Sequence, residues 1–379
     1  MAWICFLAGA GFVLYVVAGY PLLLAGLARW KPKPVHKQFS EKSVTVLLAV
    51  YNGERWIRAK LESILRLDYP RERMEILVIS DGSTDETDAI AGQFRTQGVE
   101  LLRVPHAGKA AALNAGMTRA TGEILFFTDV RQCLEPDALR QLVACLGDPE
   151  VGGVSGQILL VAGKGGEADV GLYWRFEKWL RDRLTEVDSV LVATGCIYAL
   201  RRELARPLPP AALIDDAYLP LAVVLQGYRF VFERLAIAYD YPTRLEVEFQ
   251  RKVRTLAGLL QVVRSYPGLL NVFRPVGFHF FSYKLGRLFL PYAVLLVAVS
   301  SFWLPRGWAQ AAIGAQLVLY GLAALDHWIP AGSACKRLSA VCRTFLMLIV
   351  AAFCAASILF LPADALWKQT RVNAVLRED

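Results

Sequence analysis

The sequence lacks the cysteine and histidine spacing of a zinc site. Its 379 residues include 7 cysteines and 4 histidines, without a Cys-x-x-Cys pair. This pattern excludes the common zinc modules and indicates reduced, structural thiols. The basic residues form no dense run and follow no recognised nucleic-acid motif, so no nucleic-acid partner is expected. The net charge of +8 instead fits anionic lipid head groups or a phosphate-bearing substrate.

A P-loop is also missing. Gly108 and Lys109 form a Gly-Lys pair, but no glycine stands five residues before Gly108. Ala110 occupies the position where a P-loop carries the Ser or Thr that holds magnesium. The pair is therefore not a Walker motif, and a P-loop nucleotidase is excluded.

Charged residues are scarce at both ends of the chain, which is 55% hydrophobic overall. Residues 3–27 have only tyrosines as clearly polar side chains, and this length suits a bilayer span. No basic segment precedes this stretch and no small-residue cleavage pattern follows it, so a retained anchor is expected. Several cations follow at once and place the next segment in the cytoplasm: Arg29, Lys31, Lys33 and Lys37.

Three further apolar segments lie near the C-terminus, at residues 288–304, 309–325 and 345–361. Pro305 and Gly307 predict a tight turn between the first two. The following loop is expected to carry Lys336, Arg337 and Arg343 on the cytoplasmic side. The tail adds Lys368, Arg371 and Arg377, which would lie outside if the last segment spans. Both a full span and a partly interfacial position stay open for that segment.

Between these ends, residues 43–145 alternate buried strands with amphipathic stretches. Strands are predicted at 44–50, 75–80, 101–104 and 123–128, and helices at 54–65, 84–94 and 110–118. Continuous apolar strands that alternate with helices indicate an α/β fold with a mostly parallel sheet covered on both faces. Ligands of such sheets bind beyond the carboxyl ends of the strands.

Polar residues follow each of these strands. They are Tyr51–Glu54, Asp81–Asp85, Gly108–Lys109 and Asp129–Arg131. Each stretch alone also fits an ordinary turn or helix cap. Because the carboxyl ends of parallel strands meet at one edge of the sheet, the four stretches together predict a single site there.

The motifs resemble membrane-anchored bacterial glycosyltransferases of family 2 with the GT-A fold, similar to the cellulose, hyaluronan and chitin synthases. The matching motifs cover roughly residues 43–255 and are VLLAVYNGE, VISDGSTDET, GKAAALNAG, FFTDVRQCLEPDAL, ATGCIYALRREL, LIDDAYLPLAVVLQGYRFVFE and QRKVRT. The resemblance implies five regions: an anchor at 1–30, a cytoplasmic GT-A domain at 43–243, interfacial amphipathic helices at 244–286, transmembrane helices at 287–362 and a tail at 363–379.

The resemblance also implies an inverting transfer of a sugar from a nucleotide diphosphate, with a UDP-sugar expected, to an acceptor hydroxyl. Asp216 is then the candidate general base beside Asp215, and Asp129 is the ligand of Mg²⁺ or Mn²⁺. The candidate donor-binding residues are Tyr51, Glu54, Asp81, Lys109, Asp129, Arg131 and Arg254. The candidate acceptor-binding residues are Thr194, Gly195 and Cys196.

Two departures from the family pattern qualify this interpretation. Arg131 replaces the second carboxylate of the Asp-x-Asp motif; we expect its guanidinium to reach the diphosphate, and an inactive site is the alternative. Arg254 keeps the arginine of the Gln-x-x-Arg-Trp signature of processive synthases, but Arg251 and Thr255 replace its glutamine and tryptophan. The missing aromatic platform puts processive polymerisation in doubt.

Several functional classes therefore stay open. The leading class is a glycosyltransferase of the bacterial plasma membrane that extends a glycan on the cytoplasmic face, alone or with synthase or export subunits or a second copy of itself. A second is transfer to a lipid carrier or glycolipid, and a third is a non-catalytic nucleotide-sugar-binding subunit. A transporter is disfavoured, because a large α/β insert with acidic residues at its strand ends has no role in a transporter.

Residues 245–263 mix apolar and basic side chains, as expected of an interfacial helix that contacts lipid.

Overall fold

The computed structural model describes residues 1–160, 171–241, 245–330 and 333–360. The predicted tail at 363–379, with its three cations, lies outside these ranges. The chain divides into two compact units, which we describe separately. One unit comprises Leu27–Gly165 and Arg181–Pro242, and the other comprises Met1–Gly26, Gly166–Leu180 and Thr243–Asp379.

Among the described residues of the first unit, eight strands form one sheet. The strands are β1 (Val44–Val50), β2 (Met74–Asp81), β3 (Val99–Val104), β4 (Ile124–Phe127), β5 (Cys133–Leu134), β6 (Val151–Leu160), β7 (Tyr198–Arg201) and β8 (Arg229–Asp240). Their order across the sheet is β3-β2-β1-β4-β7-β6-β8-β5. The sheet therefore contains the four predicted strands as neighbours, with four more strands beyond them.

The predicted strands are parallel to one another. In β1, Val44 is paired with Met74 of β2 and with Ile124 of β4, and both pairings are parallel. β7 is antiparallel to β4 and to β6, whereas β6 and β8 are parallel. The α/β class with a mostly parallel sheet is confirmed. β5 is antiparallel to β8, and the alternating pattern predicted neither this pairing nor those of β7.

Helices flank this sheet. They are α3 (Glu54–Leu65), α4 (Thr87–Gly92), α5 (Lys109–Arg119), α6 (Ala138–Cys145) and α8 (Asp215–Leu225), while α7 (Gly171–Val187) belongs to both units. The helix predicted at 84–94 begins later than expected, at Thr87. The carboxylate of Asp85 accepts hydrogen bonds from Thr87 N (3.0 Å) and Thr87 Oγ1 (2.5 Å), so residues 84–86 form a turn that precedes the helix.

The second unit contains helices that are long and apolar enough to cross a membrane. Within its described residues there are four such candidates: Ala2–Trp30, Pro275–Ser301, Arg306–Trp328 and Cys335–Leu359. Regular helices within these spans are α1 (Ala2–Leu14), α2 (Tyr20–Trp30), α10 (Pro275–His279), α11 (Gly286–Ser301), α12 (Arg306–Leu325) and α13 (Ala334–Ala355). The helix predicted from residue 245 is α9 (Leu245–Ser265), and its place at a membrane surface stays a prediction.

The cations predicted in the last loop lie in a helix instead. Lys336, Arg337 and Arg343 belong to α13, which begins about half of its length earlier than the apolar pattern indicated. Ser333 caps this helix by accepting a hydrogen bond from Lys336 N. The fully buried Asp326 binds Lys336 at 3.2 Å and Arg343 at 2.6 Å. Two of these cations are therefore paired with one buried carboxylate, which is the usual condition for burying such a charge.

Gly153 provides a test of the sheet packing. A Cβ at this position would lie 2.4 Å from the ring of Phe230, which is fully buried. We expect Gly153→Ala to lower stability by about 1–3 kcal/mol, because the overpacked ring must move. Gly92→Ala is the matched control, since no atom lies within 4 Å of its added Cβ and it sits in a helix. Thermal melting in detergent checks both variants. Equal melting temperatures for Gly153→Ala and Gly92→Ala would contradict the close packing of Gly153 against Phe230.

Candidate active site

The loops after β1 and β2 are joined by hydrogen bonds. Asn52 Oδ1 accepts from Thr84 N at 2.8 Å, and Gly53 N donates to Thr87 Oγ1 at 2.8 Å. The carboxylate of Glu54 accepts from Glu86 N at 3.1 Å. Asn52 has a φ of 50°, a conformation that asparagine tolerates better than most residues. The predicted donor residue Glu54 therefore helps to fix the two strand-end loops against each other.

Asp81 at the end of β2 is buried and holds the loop before α5. Its carboxylate accepts from Ala107 N at 2.9 Å and from Gly108 N at 3.0 Å. His106 Nδ1 also lies 3.0 Å from this carboxylate. The ring of His106 stacks on Tyr51 with 4.2 Å between centroids and 24° between planes. His106 was missed by the sequence analysis, although it stands only three residues before Lys109.

Lys109 connects two of the predicted acidic residues. Its Nζ lies 2.8 Å from Asp129 Oδ1 and 3.0 Å from Asp215 Oδ1. Burial disfavours the charged lysine, but attraction to the two carboxylates outweighs it and raises the pKa of Lys109 above its usual value. Burial alone would raise the pKa of Asp129, yet the nearby Lys109 holds that pKa below its usual value. Lys109 and Asp129 therefore stay ionised together.

Tyr198 extends this network on the other side of Asp215. Its hydroxyl donates to Asp215 Oδ2 at 3.0 Å, and its ring stacks on Phe127 at 4.6 Å. Burial, reinforced by the charges of Asp215 and Asp216, raises the pKa of Tyr198 well above its usual value. The hydroxyl of Tyr198 therefore stays protonated and remains a hydrogen-bond donor. Sequence analysis missed it because nothing in the strand pattern distinguishes it from a packing residue.

Asp216, the candidate base, lies against the predicted acceptor loop. Asp216 O accepts from Ala193 N at 2.7 Å, and a Cβ on Gly195 would lie 3.2 Å from Asp216 Oδ2. Thr194 Oγ1 accepts from Arg181 Nη1 at 2.6 Å, and Cys196 is buried. Burial raises the pKa of the Cys196 thiol. Glycine at 195 thus allows the carboxylate of Asp216 to approach the loop closely. The hydrogen bond of Thr194 and the burial of Cys196 hold the loop in place.

Arg131 is turned toward β8. Its Nε donates to Asp240 Oδ1 at 2.9 Å and its Nη2 to Asp240 Oδ2 at 2.6 Å. Gln132 Nε2 also donates to Asp240 Oδ2, at 2.9 Å. The side chain of Asp240 is only 3% exposed. The guanidinium is therefore held by a bidentate pair, and the predicted contact with a diphosphate stays a prediction.

Arg254 lies in α9 of the second unit, and its role in donor binding stays a prediction. Within the described residues there is no group of three or more His, Cys, Asp or Glu that could hold a metal ion. Asp129 and Asp215 nevertheless both lie within reach of one cation, that of Lys109. Mg²⁺ is commonly held by one or two carboxylates together with substrate phosphates. The residues present therefore fit an ion that the diphosphate helps to bind.

The chain is similar to several known proteins. Residues 45–208 match the family model described as Glycosyl transferase family 2. The probable glycosyltransferase YdaM of Bacillus subtilis (strain 168) is 27% identical over 242 residues, which are 59% of this chain and 56% of that protein. A poly-beta-1,6-N-acetyl-D-glucosamine synthase of Staphylococcus epidermidis is 31% identical over 140 residues, 33% of this chain and 32% of that protein. The chain thus spans about half or less of these relatives' lengths.

A solved structure shows the fold. The mannosyltransferase PcManGT from Pyrobaculum calidifontis, in complex with GDP-Man and Mn²⁺, superposes with a TM-score of 0.71 at 23% identity. The match covers 95% of this chain and 98% of that one. The expected GT-A fold is thereby confirmed. Together with the matched family model, it identifies a family 2 glycosyltransferase domain at residues 45–208 of this chain.

Proposed function

We propose that this protein is an inverting glycosyltransferase that moves a sugar from a nucleotide-diphosphate sugar, a UDP-sugar in the first instance, to an acceptor hydroxyl of a growing oligosaccharide or polysaccharide. The observation that carries the proposal is the ammonium of Lys109, which binds Asp129 at 2.8 Å and Asp215 at 3.0 Å. Asp216 follows in the same helix turn. A cation suited to a diphosphate and a carboxylate suited to an acceptor hydroxyl are thereby held in one network.

The donor would lie at the ends of β1, β2 and β4. The exposed Tyr51, stacked on His106, offers an aromatic face to the nucleoside. Lys109 supplies a point charge for the diphosphate. Asp129 would hold Mg²⁺ or Mn²⁺, which when bound neutralises the charge that develops on the leaving phosphate. Fixed cations aimed at such charge commonly contribute the largest share of a rate effect.

The two acidic residues of α8 have different roles in this proposal. Both oxygens of Asp215 already have partners. Oδ2 accepts a hydrogen bond from the Tyr198 hydroxyl, and Oδ1 lies beside the ammonium of Lys109. Asp215 is therefore a structural link. Asp216, which lies against Gly195, would accept the proton of the acceptor hydroxyl as that hydroxyl attacks the anomeric carbon.

The membrane setting completes the proposal. Four helices of the described chain are long and apolar enough to cross a bilayer, and cations follow the first of them. By the charge tendency, the GT-A unit would face the cytoplasm at a bacterial plasma membrane. Other synthase or export subunits, or a second copy of the chain, are the partners expected if the product must cross the bilayer.

Transfer to a lipid carrier or glycolipid is the second candidate. Thr255 stands where processive synthases carry a tryptophan, and its hydroxyl donates to Arg251 O at 2.8 Å. Its polar group thus serves its own helix and offers no aromatic face to a sugar chain. A single transfer to a membrane-borne acceptor needs no such platform.

The first prediction concerns turnover. Protein in nanodiscs, given a panel of nucleotide sugars with Mg²⁺, Mn²⁺ or EDTA, should release nucleotide in a metal-dependent way. Asp216→Asn should lower this rate by about 10²–10⁴-fold, the usual contribution of a general base. Lipid extraction of the product separates a lipid-linked from a polymeric acceptor.

Asp137→Asn is the control for this experiment, because Asp137 also begins a helix, α6, outside the candidate site. The Asp137→Asn variant should release nucleotide at the same rate as the unmodified protein. Donor binding without turnover, across the panel and with native lipids supplied, would contradict the proposal and favour a non-catalytic nucleotide-sugar-binding subunit.

The second prediction concerns Arg131 and Asp240. Because the two side chains form a bidentate pair, Arg131→Ala and Asp240→Asn should have similar effects on stability and on donor KM. The double variant should lose less than the sum of both, with a coupling of about 0.5–3 kcal/mol. If Arg131→Ala raised the donor KM more than tenfold beyond Asp240→Asn, the guanidinium would instead contact the diphosphate.

The third prediction concerns pH. The folded-state pKa of Asp129 is lowered, so its contribution to stability is present above the unfolded value near 3.9 and is lost as pH falls through the folded value. The raised pKa of Lys109 preserves its charge as pH rises toward about 10. The difference in melting temperature between the unmodified protein and Asp129→Asn should thus be constant from about pH 5 to 7 and shrink in stronger acid. A midpoint near neutral pH would contradict the ion-pair assignment.

A further inference from the structure

Lys60 is a buried lysine on the inner face of α3. Its neighbours on this face, Ile57, Leu61 and Ile64, are fully buried and apolar, and Lys60 itself is 1% exposed. Lysine is almost never so buried unless its ammonium has partners. Burial lowers the pKa of Lys60 to about 8, and the nearby Asp129 is among the groups that partly offset this effect. An apolar side chain would fill the same space without this cost.

The partners of the ammonium lie on both sides of Asp129. Nζ donates to Thr128 Oγ1 at 2.6 Å and to the carbonyl oxygen of Gln132 at 2.6 Å. One side chain therefore holds both ends of the loop 128–132, which contains Asp129 and Arg131. Since an ammonium has three donors, it can hold two such acceptors at once.

Thr128 carries the connection further. While it accepts from Lys60, its hydroxyl donates to Cys196 O at 2.8 Å. Cys196 follows Gly195, the residue against which Asp216 lies. The buried ammonium thus begins a chain of hydrogen bonds from α3, through the Asp129 loop, to the loop beside the candidate base. A core residue that only filled space would not produce this pattern.

We propose that Lys60 is a positioning residue, which fixes the loop 128–132 from behind so that the carboxylate of Asp129 faces the diphosphate of the donor. The inference rests on the proposed function for the identity of the ligand. The holding of the loop itself stands on the contacts of Lys60 alone. Lys60 does not touch the donor; it acts through Thr128 and Gln132.

The test compares Lys60→Met with Lys60→Gln. Methionine keeps the length and removes the donors, whereas glutamine keeps a donor without the charge. In Lys60→Met, amide hydrogen exchange in residues 128–132 should accelerate about tenfold or more, and the Kd for UDP or GDP in the presence of Mn²⁺ should rise about tenfold. In Lys60→Gln part of the protection should return. Should the methionine variant fail to fold, the glutamine variant carries the same comparison with the unmodified protein.

Ile64→Ala is the matched control, because Ile64 lies one turn along on the same buried face. It should lower the melting temperature while leaving exchange in residues 128–132 and nucleotide binding unchanged. Exchange in this loop that is the same in Lys60→Met as in the unmodified protein, or that rises equally in Ile64→Ala, would overturn the inference. The exchange measurement needs no turnover, so a failure of the proposed function would show separately as an unmodified protein without activity on any donor.

Discussion

Two carboxylates from distant parts of the chain, Asp129 and Asp215, lie against the same ammonium, that of Lys109. Without that cation, two negative charges in a partly buried site would repel each other and favour protonation. With it, the end of β4, the start of α5 and the start of α8 are joined at one point. The rest of the site depends on this contact, since Tyr198 attaches to Asp215 and Asp216 follows in the same helix turn.

The loop that carries Asp129 is held from two sides. Lys60 bonds to Thr128 and to the backbone of Gln132, while Asp240 binds Arg131 and the side chain of Gln132. Both anchoring groups are charged and buried, and neither would be stable there without its partners. The second acid of an Asp-x-Asp motif would have to face Asp240 at this position. With arginine at 131, the loop therefore lacks a second carboxylate for a metal ion, but it is attached rigidly to Asp240.

The sequence predicted four of the eight described strands, their parallel arrangement and the positions of most strand-end residues, because each depends on local pattern and on a general property of parallel sheets. It did not predict which polar residues would pair. Lys60 and Thr128 are 68 positions apart, and Arg131 and Asp240 are 109 apart. Lys60 sits in an amphipathic helix where a lysine usually faces water, so only the folded structure shows it inside. The sequence analysis placed Lys336 and Arg343 in the loop before the last apolar segment, whereas in the structure both lie in α13 and pair with Asp326.

In the proposed function, the choice of acceptor depends on what the chain offers in place of an aromatic face that binds sugar. In α9, Arg251 pairs with Glu248 at 3.3 Å and receives the Thr255 hydroxyl on its carbonyl, so these two side chains are committed to their own helix. A polymerising enzyme must retain its product between transfers, and an aromatic face is the usual means. An enzyme beside a bilayer has another means, because a lipid-borne acceptor confined to the same surface is present at high effective concentration. If the proposed transfer occurs at the membrane, the four apolar helices would therefore contribute to acceptor choice as well as to attachment.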